Sequence, residues 1–399
     1  MDAELIKSEI MQLHAWAAQR DYNYLSINTV PEPAWINYLR ARSPLFGVGW
    51  RQLFRLLPID LRPAFGFETA RRDSKATILF AWAYLELNAL LGQTFASAWQ
   101  GCLQRVLGLR SPKAKGFGIR QDNVLYLKTY RAHEDDISAL LTAWAGRLFM
   151  RAFRYTGNPH YRDYAGEVAR YFLDEHPRST RSEGTYFHYD PNLSDTIFNA
   201  SGEISSYLIE YGSVSGDREA TQAGHSGLQF LIANQNEDGS WFYGTGPRFH
   251  YIDNFHTAFV LSALVSAANY LDLPVVSECL KKGMRYFTSS LFRESPDGLR
   301  PIHLDPRFRP LNSNLIQRVD LRDVTASVVL FLELAKTEQG YREHARRVLQ
   351  WALHHMRCAK GTYYPEITIL WNNAIPYIEF QAWMLYCLAR YQNLTGGEE

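Results

Sequence analysis

Six short polar clusters stand directly ahead of long apolar stretches, and their residue types are those of proton-transfer chemistry. They read Arg72-Asp73-x-Lys75, His133-Glu134-Asp135-Asp136, Asp195-x-x-x-Asn199, Asp253-Asn254-x-His256, Asp320-x-Arg322-Asp323 and Tyr377-x-Glu379. Asp253 and His256 are three apart, so on a helix they share one face. A carboxylate beside an imidazole can orient and charge it for proton transfer. Asp135 or Asp136, together with Asp195, offers further carboxylates of the kind that glycoside hydrolysis requires in pairs. Helix capping by Asp, Asn and Ser accounts for a share of these residues. It does not account for Lys75, His256, Arg322 and Glu379.

A loop ahead of the Asp253 cluster carries Trp241, Tyr243, Arg248, Phe249, His250 and Tyr251. A cation for a carboxylate and flat rings for sugar faces suit an acidic sugar. His188 and Tyr189 occupy the corresponding loop one repeat earlier. The candidate substrate-contacting set is therefore His188, Asn199, Trp241, Tyr243, Arg248, His250, Tyr251, Asn254, Arg322, Asp323 and Glu379, around candidate catalytic groups Asp135, Asp136, Asp195, Asp253 and His256.

Clusters of this kind need long helices to bring them together. From about residue 66 the chain has apolar residues at three-to-four spacing, as in KATILFAWAYLELNALL and HTAFVLSALVSAANYL, with almost no alternating strand pattern. Glycine-plus-aromatic turns recur at Gly184-Thr185-Tyr186, Gly239-Ser240-Trp241 and Gly361-Thr362-Tyr363, with a degenerate Asp297-Gly298-Leu299. Steps of about 55 to 65 residues fit one helical hairpin plus a long loop. About six hairpins predict an all-α ring, an α/α toroid, because an open array this short leaves an apolar face uncovered at each end. Residues 1–65, broken by Pro31, Pro33, Pro44, Pro58 and Pro63, read as an irregular wrap on a catalytic toroid spanning 66–399.

Composition narrows the function classes. Forty-two basic and 41 acidic residues leave a net charge of +1, which excludes the basic excess of a general nucleic-acid binder. The four cysteines are far apart with no CxxC pair, so they read as free thiols. The first residues form an amphipathic helix without the order of a secretory signal, and no run of about 18 apolar residues occurs, so a cytoplasmic protein without a membrane span is expected. Asp253 and His256 alone supply too few ligands to imply a metal, and nothing implies a cofactor. Aromatic residues make up 14% of the chain, suited to stacking on sugars, to shielding carbocations, or to filling a core.

The segment LQFLIANQNEDGSW resembles the QW repeat of squalene and oxidosqualene cyclases at Gln235, Gly239 and Trp241. That resemblance implies an α/α toroid and no chemistry. More widely, SKATILFAWAYLEL, NASGEISSYL, QNEDGSWFYG, YIDNFHTAFVLSAL and QAWMLYCLARY are similar to bacterial toroid proteins of capsule and exopolysaccharide biosynthesis, six-hairpin glycosidase-like in form. This implies a carbohydrate setting without fixing a reaction. The protonating Asp-x-Asp-Asp of true triterpene cyclases would fall on His133-Glu134-Asp135-Asp136, whose first acid is histidine.

The expectation is an enzyme modifying an anionic poly- or oligosaccharide, free or lipid-linked, as hydrolase, lyase or uronate C5-epimerase. In hydrolysis one of Asp135, Asp136 and Asp195 is the acid and Asp253 the base or nucleophile. In abstraction of a C5 proton, His256 or Tyr251 is the base and Arg248 or Arg322 neutralises the carboxylate. Two alternatives remain: a terpenoid-type cyclase using Asp135 or Asp136, and a non-catalytic glycan-binding toroid.

Overall fold

Asp73 opens the first helix of the ring by accepting the Ala76 N–H at 2.9 Å, and the same device recurs at Ser138, Asp253 and Asp320. Each cap satisfies backbone donors that a helix start leaves free, fixing where an apolar helix begins. The computed structural model describes residues 3–27, 34–42, 46, 49–50, 53–54, 60–62, 72–121, 125–126, 131–132, 135–190, 197–311 and 317–395.

Six helices form an inner ring: α3 (Ser74–Leu91), α5 (Ala139–Thr156), α7 (Phe198–Ser215), α9 (Asn254–Ala268), α11 (Leu321–Leu334) and α13 (Ile378–Thr395). Each packs on the next, and α13 packs back on α3. They are buried over most of their surface because both sides are covered. Amphipathic outer helices lie behind them: α4 (Ala96–Leu107) on α3, α6 (Pro159–Arg170) on α5, α8 (Arg218–Ala233) on α7, α10 (Pro274–Ser290) on α9 and α12 (Gly340–His355) on α11. The outer position beside α13 is filled by α1 (Ala3–Ala18), from the start of the chain. The fold is an α/α toroid.

Part of the stretch read as a wrap is thus a ring member. Ile6, Ile10 and Leu13 of α1 are buried, and its buried Glu9 accepts the Tyr363 hydroxyl at 2.6 Å and pairs with Arg357 at 2.7 Å. A short helix α2 (Ala34–Arg42) follows.

The recurring glycines hold the repeat together. Gly184, Gly239, Gly298 and Gly361 all have positive φ. A Cβ on the first three would sit 2.3 to 2.4 Å from a backbone oxygen of the next outer helix, at Ser226, Lys282 and Arg347 respectively. On Gly361 it would meet the side-chain Oε1 of Gln12 of α1 at 2.9 Å. Among the described residues the strands form four two-stranded pieces: β1 (Leu125–Tyr126) with β2 (Arg131–Ala132), β3 (Arg178–Arg181) with β4 (Gly184–Phe187), β5 (Phe292–Ser295) with β6 (Gly298–Pro301), and β7 (Gln317–Asp320) with β8 (Glu366–Thr368). All four cysteines are free, and no described helix is long and apolar enough to cross a membrane.

Candidate active site at the helix N-termini

The N-terminal ends of all six inner helices meet around a cavity of about 190 Å³. Lys75 comes from α3, Ser138 and Trp144 from its entrance and first turns of α5, Asn199 from α7, Phe255, His256 and Phe259 from α9, Arg322 from α11 and Glu379 from α13. Tyr189 and Tyr243 enter from the loops before α7 and α9. Trp144, Phe255 and Phe259 make the apolar floor, with Trp144 and Phe259 stacked at 5.5 Å.

Asp253 does two jobs at the start of α9. Its Oδ1 accepts the His256 backbone N–H at 2.8 Å, capping the helix, and its carboxylate receives Nδ1 of the same histidine at 2.7 and 2.8 Å. Burial alone would raise this carboxyl. The His256 charge and hydrogen bonds, with the His303 charge behind, outweigh it and hold Asp253 below its ordinary value. With Nδ1 turned to the Asp253 carboxylate, Nε2 is the ring nitrogen left for the cavity that His256 lines. The Tyr243 ring packs edge-on against the imidazole at 4.5 Å.

Charge on the neighbouring walls is paired but reachable. Buried Glu379 is 3.0 Å from Lys75 Nζ and 3.5 Å from Arg322 Nη1. Arg322 also grips Asp320 through Nε at 2.9 Å and Nη2 at 2.8 Å, while its guanidinium lies near the Phe255 and Phe380 rings. Burial pushes the Tyr189 hydroxyl up to about 12, with the Asp190 and Glu379 charges adding to it, and it drives Tyr243 well above the usual range. Both phenols are protonated donors at neutral pH.

Of the expected site residues, His256, Asn199, Tyr243, Arg322 and Glu379 lie in this lining, with Asp253 directly behind His256. Asn199 Oδ1 is buried without a hydrogen-bond partner among the described residues. Tyr251 stacks on Tyr243 at 5.1 Å outside the lining. Burial and the Asp253 charge raise its hydroxyl far above neutral, which removes it as a base.

Several expected contacts are placed elsewhere. Trp241 is 2% exposed and donates its indole N–H to the Leu231 carbonyl at 2.9 Å, so it is a core residue. Asn254 is fully buried, donating to the Leu291 carbonyl at 3.0 Å and accepting the Ser327 hydroxyl at 2.9 Å, so its amide joins elements. Asp323 is buried against the Asp320 N–H and His303. His188 bonds Ser179 at 2.9 Å and stacks on Tyr186. His250 is exposed, bonded to the Thr245 carbonyl and stacked on Phe242. Asp135 is exposed, and Asp136 pairs with Lys113 at 3.0 Å, both outside the lining. Asp195, His133, Glu134 and the Arg248 side chain lie outside the described residues.

Sequence reasoning missed the floor residues Trp144, Phe255 and Phe259, and also His303, which stands behind the wall. His303, in the loop after β6, gives Nδ1 to Asp323 at 3.0 Å, and its carbonyl accepts the Asn254 N–H at 2.9 Å. Burial would lower its pKa, but the Asp323 charge and hydrogen bond, with Asp320 and Asp253 beyond, push it up to about 9. The only sequence signal was a histidine two residues past a degenerate repeat hairpin. The one group of described His, Cys, Asp or Glu side chains close enough to share a metal ion is Asp297, His354 and His355, outside this lining.

No protein-family model matches the chain, and no curated protein matches it. Solved structures do. A family 76 α-mannanase of Bacteroides thetaiotaomicron superposes with a TM-score of 0.64 at 12% identity, covering 80% of this chain and 85% of the mannanase. An unsaturated glucuronyl hydrolase specific for heparin gives 0.63 at 12% identity, covering 99% of this chain and 97% of its own. A cellobiose 2-epimerase of Bacillus thermoamylovorans gives 0.57 at 11% identity, over 80% and 88%. These likenesses establish the α/α toroid fold.

Proposed function

We propose that the protein is a carbohydrate-modifying enzyme that moves a proton at a sugar carbon next to a carbonyl or carboxylate, as an epimerase or lyase, with His256 as the base. The observation that carries the reading is the grip of both Asp253 oxygens on Nδ1 of His256, at 2.7 and 2.8 Å, which leaves Nε2 free at the wall of a polar funnel with an aromatic floor. The solved structures of like fold act on sugars by their own descriptions: a mannanase, a glucuronyl hydrolase and a cellobiose epimerase.

In this reaction Nε2 takes the carbon-bound proton and the C–H electron pair moves into the adjacent carbonyl or carboxylate, giving an enediol-type anion. Arg322, and Lys75 from the far side of the ring, are the cations that stabilise it. Return of a proton to the opposite face gives the epimer; loss of a β-oxygen substituent gives an unsaturated sugar. A uronic acid suits the two cations, and Trp144 with Phe259 offers apolar surface to the ring face. Glycoside hydrolysis needs two carboxylates flanking the scissile bond; of the two described carboxylates in the lining, Glu379 is committed to Lys75 and Arg322, and Asp73 to capping α3.

The test is incubation of the protein in deuterated water with panels of reducing sugars, uronates and acidic oligosaccharides, read by mass spectrometry. Gain of one deuterium, or an unsaturated product, absent with His256→Ala, is the expected result. A saturated, shortened oligosaccharide from the wild type would replace this reading with hydrolysis.

A further inference from the structure

The opposite mouth of the ring holds a second, larger cavity of about 500 Å³, lined from the middle to the C-terminal ends of the same six inner helices. Trp144 and Phe259 line both cavities, so an aromatic partition separates them. Nothing in the proposed reaction uses this space.

Its wall alternates charge. Arg151 pairs with Glu86 at 2.8 Å, Arg154 with Glu210 at 2.9 Å and Arg147 with Glu203 at 3.9 Å. Arg390 bridges Glu86, at 2.9 Å, to Glu333, which also takes Lys336 at 2.5 Å. Holding this many charges in a half-closed space costs desolvation, which well-packed apolar residues would avoid. Such a wall is not what stability alone selects. Four lining side chains also hold a buried nitrogen with no hydrogen-bond partner among the described residues: Nε of Arg147 and of Arg390 and the indole nitrogens of Trp82 and Trp383. Trp82 is 7% exposed and Trp383 2%, so solvent hardly reaches these donors.

The occupant must match donors and acceptors in alternation over an aromatic base. Five cations face four carboxylates, and the six helix ends here present carbonyls, each terminus carrying about half a negative charge. That balance gives a polyanion no net attraction. Hydroxyl groups, which donate and accept at once, fit alternating guanidinium and carboxylate groups, and apolar sugar faces fit Trp82, Trp144 and Trp383. The volume lies within the roughly 300–1,000 Å³ usual for small-molecule sites.

We infer that this second cavity is a binding site for a neutral oligosaccharide, distinct from the funnel around His256. The site goes beyond the proposed function and does not rest on it.

The test is titration calorimetry of the full chain with cellotriose, maltotriose and α-1,6-mannotriose, with sodium phosphate as the anionic contrast. Ser262 lines this cavity alone, so Ser262→Trp fills it. Binding of at least one trisaccharide is expected, weakened tenfold or more by Ser262→Trp and by Arg154→Ala, and unchanged in His256→Ala. Should Ser262→Trp lose its helical circular dichroism, the exposed Arg154→Ala decides. Loss of binding in His256→Ala with retention in Ser262→Trp would put the sugar in the other funnel and overturn the inference. So would the absence of binding by all three trisaccharides, or binding of phosphate alone. Deuterium exchange at the first funnel should continue in Ser262→Trp, so failure of either reading is read separately.

Discussion

Both carboxylate oxygens of Asp253 lie within 2.8 Å of Nδ1 of His256, while one of them also caps the helix that carries the histidine. The two roles separate by substitution. Asn caps a helix about as well as Asp, so Asp253→Asn should stay within about 1 kcal/mol of wild-type stability in urea melts. An amide no longer fixes the proton on Nδ1, and general-base catalysis is worth roughly 10²- to 10⁴-fold. Deuterium exchange into substrate should fall by that order in Asp253→Asn and in His256→Ala. A variant that melts early, or one that exchanges at the wild-type rate, would refute the assignment.

His303 predicts how stability varies with pH. Its folded pKa is raised to about 9 by Asp323, Asp320 and Asp253, against about 6.5 unfolded. A raised pKa means the folded state holds the proton more tightly, so the stabilisation is full below about pH 6.5 and is lost as pH rises through about 9. Asp253, held low, works in the other direction: its contribution is present above the unfolded carboxyl pKa and fades in acid. Between pH 6.5 and 9 the wild type should lose on the order of 1–3 kcal/mol from His303, and His303→Gln should flatten that slope. Urea titrations at several pH values check this, and equal slopes would rule it out.

Two asparagines at inner helix starts should respond in opposite ways. Asn199 lines the funnel and its Oδ1 has no hydrogen-bond partner among the described residues, whereas Asn254 bonds Leu291 and Ser327 across elements. Asn199→Ala should leave the melting midpoint nearly unchanged and raise KM in the exchange assay. Asn254→Ala leaves buried groups unpaired and should cost about 2–3 kcal/mol. Comparable destabilisation of both would mean that Asn199 is structural.

The helices and their convergence were legible because the signals are local. A cap followed by an all-round apolar run, as in DNFHTAFVLSAL, states both where α9 starts and that it is an inner helix. What was not legible depends on distance along the chain. Glu9 of α1 meets Tyr363, 354 residues away, and no local pattern reveals that the first helix closes the ring. Arg390 meets Glu86 across 304 residues, so the second cavity's charge pattern could not be read from either segment. Trp241 and Asn254 were misplaced for a different reason: an aromatic or amide beside a polar cluster looks the same in sequence whether it faces the cavity or the neighbouring helix.

The repeat glycines make the last prediction. Gly239 has φ of +94°, and a Cβ there would lie 2.4 Å from the Lys282 carbonyl oxygen, a backbone atom of α10 that cannot swing aside. Gly216, the left-handed cap of α7, has φ of +78° with nothing within 4 Å of its would-be Cβ. Gly216→Ala therefore bears backbone strain alone, on the order of 1 kcal/mol. Gly239→Ala bears that strain plus a displaced outer helix and should cost about 3 kcal/mol or more. The displacement also moves the loop from Trp241 to Tyr251 that seats Tyr243 against His256, so exchange activity should fall in Gly239→Ala and persist in Gly216→Ala. Equal losses of stability in the two variants would mean that close approach to α10 is not what requires glycine at position 239.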